Sequence, residues 1–561
     1  MRLRRSTSIA AFTALTVSLL TAPAFAGTPG ATTLYVDNTG TSCTDTGSGA
    51  AAAPFCTIQA AADVVSAGQS VHILGTYSEA VTIRRSGTAA RPITFVADNS
   101  NFSILQAPAG AATLTVRGAR NVVIRNLSIW GATGQDAVDI TGSSRITVDS
   151  DRISGNTSGN AVHVTGRSSH VTVSRDQIGQ SSGPGVRIDA GGAHDTVTTD
   201  DFYGGASPAV AVDGTADAAV TSNTVRYACN QAIRVTGASA GSSVENNVVQ
   251  NLLSATVTFG CPATTEPVAG LVVDSAAAPG VTADYNTVYP YFAEPAYDWA
   301  GTAYTGATDL FNAVGQGAHD LNTSPQLNPN YYYSVPDEGS SVIDSANSGA
   351  PGELSSDVYG FPRLDDPLTP NTGGGAHSYY DRGAYEMQDS FSLPLTASAQ
   401  QAPVGGLVTF SGSFGDSWNE TLGISYDFGD GSPRVTGAAA VTHAFAAPGR
   451  YAVTATLTDT SGLTASTYVY VTVVAAAPLT PALTLTPYPA SGAVVADASA
   501  STDAWNITDY KWDFGDGLTA DSYGSPTAYH YYAAAGTYTV KLTITDAGGN
   551  TATISAAVTA S

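Results

Sequence analysis

Ala137-Val138-Asp139-Ile140, Ala161-Val162-His163-Val164, Gly185-Val186-Arg187-Ile188, Ala209-Val210-Ala211-Val212 and Ala232-Ile233-Arg234-Val235 repeat one pattern, small-aliphatic-x-aliphatic, at steps of 24, 24, 24 and 23 residues. Thr113-Leu114-Thr115-Val116 is a further copy, 24 residues upstream. A second aliphatic pair follows each copy: Ile124 and Ile129, Val148 and Ile153, Val173 and Ile178, Val197 and Phe202, Val220 and Val225, Val244 and Val249. Short alternating segments joined by Gly, Ser and Asn, with no helix-length stretch between them, predict two or three strands per repeat. Such a coil buries its aliphatics only by stacking on the next, so the repeat predicts a parallel β-helix.

Inside the second register one slot holds Asp151, Asp176, Asp200, Asn223 and Asn247, continued by Asn286. Asp and Asn tolerate left-handed backbone and hydrogen-bond along a stack, which predicts a side-chain ladder at a tight turn. A calcium column is the second reading of the same residues, and Ca2+ is the one cofactor the sequence brings into question. In the first register Val138, Val162, Val186 and Val210 point inward, so Asp139, His163, Arg187, Ala211 and Arg234 line up outside, roughly 4.8 Å apart.

Outward from the repeats, the chain begins with Arg2, Arg4 and Arg5, an apolar run from Ile9 to Leu20 and Ala24-Phe25-Ala26. This is the pattern of an export signal over residues 1–26, and it predicts a secreted, extracellular protein. No other stretch approaches membrane-spanning length. In an oxidising compartment the four cysteines are expected to pair as Cys43 with Cys56 and Cys229 with Cys261, each pair close in sequence. Charged residues make up only 12% of the chain and apolar ones 43%, which suits a turn-rich all-β protein. The net charge of −24, or −27 without the three leader arginines, excludes nucleic acid and anionic membrane as partners. Only between Arg84 and Arg234 do 13 arginines match 12 acids, so an anionic ligand would be tolerated there alone.

After Met387 the pattern changes. Tyr426-Asp427-Phe428-Gly429-Asp430-Gly431 and Trp512-Asp513-Phe514-Gly515-Asp516-Gly517 each precede alternating strands with Gly-Asp turns, predicting two Ig-like β-sandwiches at 391–474 and 482–560. Both resemble PKD domains, which implies spacing or weak polymer contact and no chemistry. The motif aspartates are read as turn-shaping residues, with calcium ligation as the alternative.

The entry segment, from Pro54-Phe55-Cys56-Thr57-Ile58-Gln59 through a helix at Ala60 to Ala67 to Arg91-Pro92-Ile93, resembles that of the secreted pectate-lyase-like, right-handed parallel β-helix proteins. Asp357-Val358-Tyr359-Gly360-Phe361-Pro362-Arg363 and Arg382-Gly383-Ala384-Tyr385-Glu386 resemble a closing segment common in that group. The resemblance covers residues 32–387 and makes the fold class all-β: a right-handed parallel β-helix followed by two PKD-like sandwiches.

The resemblance also implies that a polymer lies along the sheet bearing Asp139, His163 and Arg187. For β-elimination on a uronate polymer, His163 would take the C5 proton with Asp139 orienting it, while Arg187 and Arg234 clamp the carboxylate. Arg187 is the alternative base, as in some lyases of this kind. A hydrolase would need paired carboxylates, nominally Asp136 with Asp139 or Asp200 with Asp201. Whether the protein is an enzyme stays open, a lyase ranking above a glycoside hydrolase. One reading is a monomeric protein that binds, and in its fuller form cleaves, extracellular polysaccharide. The other is a non-catalytic carbohydrate- or surface-binding, structural β-helix.

Overall fold

The computed structural model describes residues 33–40, 42–97, 103–154, 159–179, 183–204, 208–252, 261, 264–290, 295–327, 335–418, 422–460, 462–488 and 491–561. The leader expected at 1–26 lies outside them. Residues up to Gln388 form one compact unit and those from Asp389 a second.

In the first unit each coil gives one short strand to each of three stacked sheets. The first sheet runs in parallel from Val81–Ile83 through Leu114–Arg117, Val138–Thr141, Val162–Thr165, Val186–Ile188, Val210–Asp213, Gln231–Thr236 and Ala269–Val273 to Tyr297–Trp299. Its register follows the sequence repeat: Val138 pairs with Val162, Val162 with Val186, Val186 with Val210 and Val210 with Ile233. Those aliphatics are buried, whereas Asp139, His163 and Arg187 lie half-buried on the outer face. The second sheet runs from Thr33–Asp37 to Thr282–Asp284 and the third from Thr76–Tyr77 to Thr287–Tyr289.

The predicted ladder stands at the corner between the second and third sheets. The N–H groups of Leu127, Asp151, Asp176, Asp200, Asn223 and Asn247 donate to Oδ1 of Asp151, Asp176, Asp200, Asn223, Asn247 and Asn286, at 2.6 to 3.1 Å. The left-handed backbone falls one residue earlier than expected, at Ser150, Arg175, Thr199, Ser222 and Asn246. The slot residue itself supplies the acceptor, through its Oδ1.

Both ends of the stack are blunted against strand addition. At the entry a helix spans Ile58–Val64, somewhat earlier than the 60–67 expected, because Thr57 Oγ1 accepts from Ala60 N–H and the Glu79 carboxylate accepts from Ile58 and Gln59. At the exit Thr302–Tyr304 folds back antiparallel on Tyr297–Trp299, followed by the helix Ala307–Val314. Disulfides join Cys43 to Cys56 and Cys229 to Cys261, as the spacing suggested.

From residue 344 to 386 the chain becomes a strap laid back over the ladder corner. Glu353 accepts from Asn246 Nδ2 at 2.8 Å and from the Ser222 hydroxyl, Ala384 N–H donates to Thr224 Oγ1 at 2.9 Å, and Arg382 donates to Asn286 O at 3.1 Å. Gly352 sits at φ +83° so close to the coils that a Cβ would meet Thr196 Cγ2 at 2.8 Å. Only glycine allows that approach.

In the second unit each sandwich buries the aromatics of its motif, Tyr426 and Phe428 in one, Trp512 and Phe514 in the other. Asp427 and Asp513 accept the N–H of Gly429 and Gly515, while Asp430 and Asp516 hold His443 and His530 at 2.7 and 2.8 Å. The histidine rings stack on Phe428 and Phe514. The motif aspartates therefore brace a turn and a ring.

Candidate functional site

The outer face of the first sheet brings Asp139, His163, Arg187 and Arg234 into one column, since Asp139 pairs with His163, His163 with Arg187, and Ala211 between the arginines with both. Their side chains do not bond to one another as the sequence suggested. His163 Nδ1 meets Asp136 Oδ2 at 2.9 Å and Nε2 meets Asp189 Oδ2 at 3.0 Å. Asp136, at the turn before the strand, thus orients the imidazole in place of Asp139. From Asp189 the run continues: Arg187 Nε donates to Asp189 Oδ1 at 2.8 Å, and Asp213 lies 3.5 Å from Arg187 Nη2 and 3.6 Å from Arg234 Nη2. The result is a line of alternating sign, Asp136, His163, Asp189, Arg187, Asp213, Arg234, laid across five coils.

The electrostatics follow from these contacts. The Asp136 hydrogen bond, working against burial, raises the His163 pKa, and Asp189 adds to the rise. Burial works to raise Asp136 and Asp189, but their bonds to His163, with Asn160 on the one and Arg187 on the other, hold both below the usual carboxylate value. Asp139 moves the opposite way: burial raises it, and the charge of Asp136 adds to the rise against the pull of His163 and Arg117. A histidine held at both nitrogens by carboxylates is favoured in its protonated form. That is a poor start for a proton acceptor, while Arg187, with 41% of its side chain exposed, can reach a ligand.

Asp200 and Asp201 do not form a dyad. Asp200 is a rung of the ladder, and Asp201 is buried against Arg226, whose Nη2 lies 2.8 Å from Asp201 Oδ2. Asp189 and Asp213, missed in the sequence, follow Arg187 and Ala211 by two positions and so share their outward face, a relation the strand period makes readable. Elsewhere in the described residues, carboxylate oxygens of Asp389, Asp416 and Asp459 lie within 4.8 Å of one another in the second unit. Burial, and then the carboxyl of Asp459 against it, pushes Asp389 up to about 6.

Residues 99–261 match the family model for the right handed beta helix region, and residues 394–474 and 475–560 each match that for the PKD domain. No curated protein matches the chain. Among solved structures it is similar to an alginate lyase from Paenibacillus sp. str. FPU-7, at 19% identity over 42% of this chain and 86% of that one, with a TM-score of 0.36. It is similar also to the pectate lyase Pel9A, at 12% identity over 64% of this chain and 98% of that one, TM-score 0.36. The PKD1 domain of the Vibrio cholerae metalloprotease PrtV is 28% identical over 15% of this chain and 98% of its own length, TM-score 0.14. The chain is a right-handed parallel β-helix protein that carries two PKD domains at its C-terminal end.

Proposed function

We propose that this is a secreted protein that holds an extracellular polysaccharide along the outer face of the first sheet. The line of charges from Asp136 to Arg234 carries the reading. A polymer running along the stack meets a new coil about every 4.8 Å, and each coil offers it a charged or hydrogen-bonding side chain already fixed by its neighbours. Two disulfides and the leader pattern support an oxidising, extracellular setting. Arg187 is the primary contact for an acidic sugar, and Arg234 supports it through Asp213.

Cleavage is the second reading, favoured by one observation: Asp139 is raised, as a proton donor to a leaving group must be. His163, engaged at both nitrogens, acts in either case by positioning Asp189 and the arginine beyond it. The test measures retention of pectate and alginate by the wild-type protein and by Arg187→Ala, alongside ultraviolet absorbance from unsaturated uronides. Binding weakened roughly tenfold by the substitution is expected, the value of a charge-assisted hydrogen bond. Equal retention by both proteins would sink the proposed face, and absorbance that Asp139→Asn abolishes would establish a lyase.

Calcium, which the sequence left open, has fitting donors in the second unit, where Asp389, Asp416 and Asp459 form an all-oxygen set of the kind that ion prefers. A bound ion would offset the burial and the neighbouring carboxyl of Asp459 that raise Asp389. Calcium is expected to raise the melting temperature of the sandwich transition in the wild type and not in Asp416→Asn. An unchanged wild-type melting temperature excludes the site.

A further inference from the structure

The chain passes from the first sheet to the second at a different corner from the one the strap covers. Four successive coils make that passage through residues 84–92, 117–121, 141–145 and 165–170, which together hold seven arginines and no aspartate or glutamate. Arg84, Arg85 and Arg91 stand on the first of these coils and Arg117 and Arg120 on the second, followed by Arg145 and then Arg167. All seven are exposed. The described acids of the same coils lie elsewhere, Asp149, Asp151 and Asp176 buried and Asp136 and Asp139 along the first sheet. In a protein of net charge −24, more than half of the arginines between Arg84 and Arg234 are thus gathered on one edge.

These arginines differ from those of the first-sheet line in having no acid to answer them. Arg187 and Arg234 each face an aspartate, whereas the side chains of Arg84, Arg117, Arg120, Arg145 and Arg167 make no hydrogen bond or ion pair with any described residue. Little opposes them from nearby. Arg85 donates Nε and Nη2 to the carbonyls of Asp63 and Val64 at 2.9 and 3.4 Å, and Arg117 acts on Asp139 only through its charge. The excess ends on the following coils, where Asp189 appears and Asp217 lies 3.6 Å from His194.

A bare track runs between the arginines. Gly118, Gly142 and Gly166 recur at steps of 24 residues, and a Cβ on Gly118 would meet nothing within 4 Å, one on Gly142 only the Gly166 carbonyl oxygen at 3.8 Å. Arg117 precedes this column, and Arg120 and Arg145 follow it. An extended chain can therefore lie against backbone with guanidinium groups on both sides, over roughly 15 Å for four coils spaced ~4.8 Å apart. Arg145 and Arg167 also hold left-handed backbone, at φ 54° and 62°, a conformation that glycine adopts without strain and arginine does not.

We propose that this ridge is a docking surface for an acidic polysaccharide, whose carboxylates take the forks of Arg117, Arg120 and Arg145 while its backbone lies on the glycine track. Charge complementarity selects the occupant: a polymer with an anion on every sugar gives up its counterions to a row of unpaired guanidinium groups, which a neutral glycan cannot do. The proposal takes the class of polymer from the polysaccharide reading but not its surface. Arg117 closes its strand on the first sheet, so the ridge borders the face that bears Asp139 and His163 and draws the polymer toward it.

The experiment measures retention of pectate by the full chain at rising salt, with fully methyl-esterified pectin as the uncharged control and polyphosphate as the rival anion. In the triple variant Arg117→Ala, Arg120→Ala, Arg145→Asn binding is expected to weaken about tenfold at low salt and to converge with wild type near 1 M, where screening shortens to ~3 Å. The variant Arg117→Lys, Arg120→Lys, Arg145→Lys should keep most of the binding, and unchanged melting temperatures would show that both fold. Arg434→Ala, Arg450→Ala, Lys511→Ala removes as many charges from the second unit and is expected to bind like wild type. An equal loss there would mean that net charge alone acts, and would overturn the ridge. Loss in Arg187→Ala with none in the triple variant would overturn it too, while leaving the first-sheet reading intact. The reverse pattern supports the ridge whatever becomes of that reading. Methyl-esterified pectin held as firmly as pectate, polyphosphate held where pectate is not, or no retention of pectate by the wild type each overturns the proposal.

Discussion

Replacing Asp176 with alanine is expected to destabilise the β-helix by about 3 kcal/mol or more, and replacing it with asparagine to leave it as stable or to strengthen it. The alanine leaves the buried N–H of Asp151 without an acceptor, at a cost of about 1–3 kcal/mol, and opens a gap in the stack. The asparagine has precedent two rungs on, where Asn223 Nδ2 donates to Asn247 Oδ1 and to Val197 O, both at 3.0 Å. In Asp151, Asp176 and Asp200 the buried Oδ2 receives no hydrogen bond, and only a carboxyl that keeps its proton can donate from it. Burial, the first cause in each, raises all three well above the ordinary aspartate value.

The sign of the pH dependence follows. Each group holds its proton in the folded state at a pH where the unfolded chain has released it, so its contribution is complete below about pH 4 and is lost as pH rises toward the folded value. The slope is about 1.4 kcal/mol per pH unit for each such carboxyl. Asp195 and Asp320, raised by burial to about 7, act in the same direction between about pH 4 and 7. Urea unfolding across pH 4 to 9 should therefore show a falling stability that Asp176→Asn makes less steep. A slope equal in the two proteins would mean that the rung is ionised.

Arg363→Met is expected to cost about 3–5 kcal/mol, the range for stranding buried charges by removing their partner. The Arg363 side chain has no solvent exposure and lies 2.9 Å from Glu386 and 3.2 Å from Glu353, both nearly as deeply buried. It also donates to the carbonyls of Leu354, Asp381 and Gly383, so one side chain ties together three passes of the strap. Adding Glu353→Gln and Glu386→Gln to the same variant should recover much of the loss, because no unpaired carboxylate remains. Limited proteolysis would locate the damage at residues 344–386. A loss under about 1 kcal/mol would mean that the strap relaxes and lets water reach the acids.

The coils were legible in the sequence because aliphatic pairs 24 residues apart have one physical reading, and the ladder because one polar slot recurs at a fixed offset from them. The disulfides followed from short separations beside loops. The motifs at 357–363 and 382–386 were visible as a resemblance, but their purpose was not: the pairing of Arg363 with Glu386 and the docking of Glu353 on Ser222 and Asn246 span distances along the chain that no period relates. The same limit explains His163. Strand alternation put it beside Asp139 and Arg187, yet side-chain reach sent its nitrogens to Asp136 and Asp189 instead.

The strap also imposes an order of events. Coils can stack one after another as each is completed, since every strand needs only its neighbour. The strap grips Ser222, Thr224, Asn246 and Asn286, and reaches back to Arg175 through Ser356, so it has nothing to bind until those coils stand in register. It is a latch that closes last. A chain cut short before residue 344 would keep its coils but leave the ladder corner open to water, and the structure it reached would be held by neighbour contacts alone.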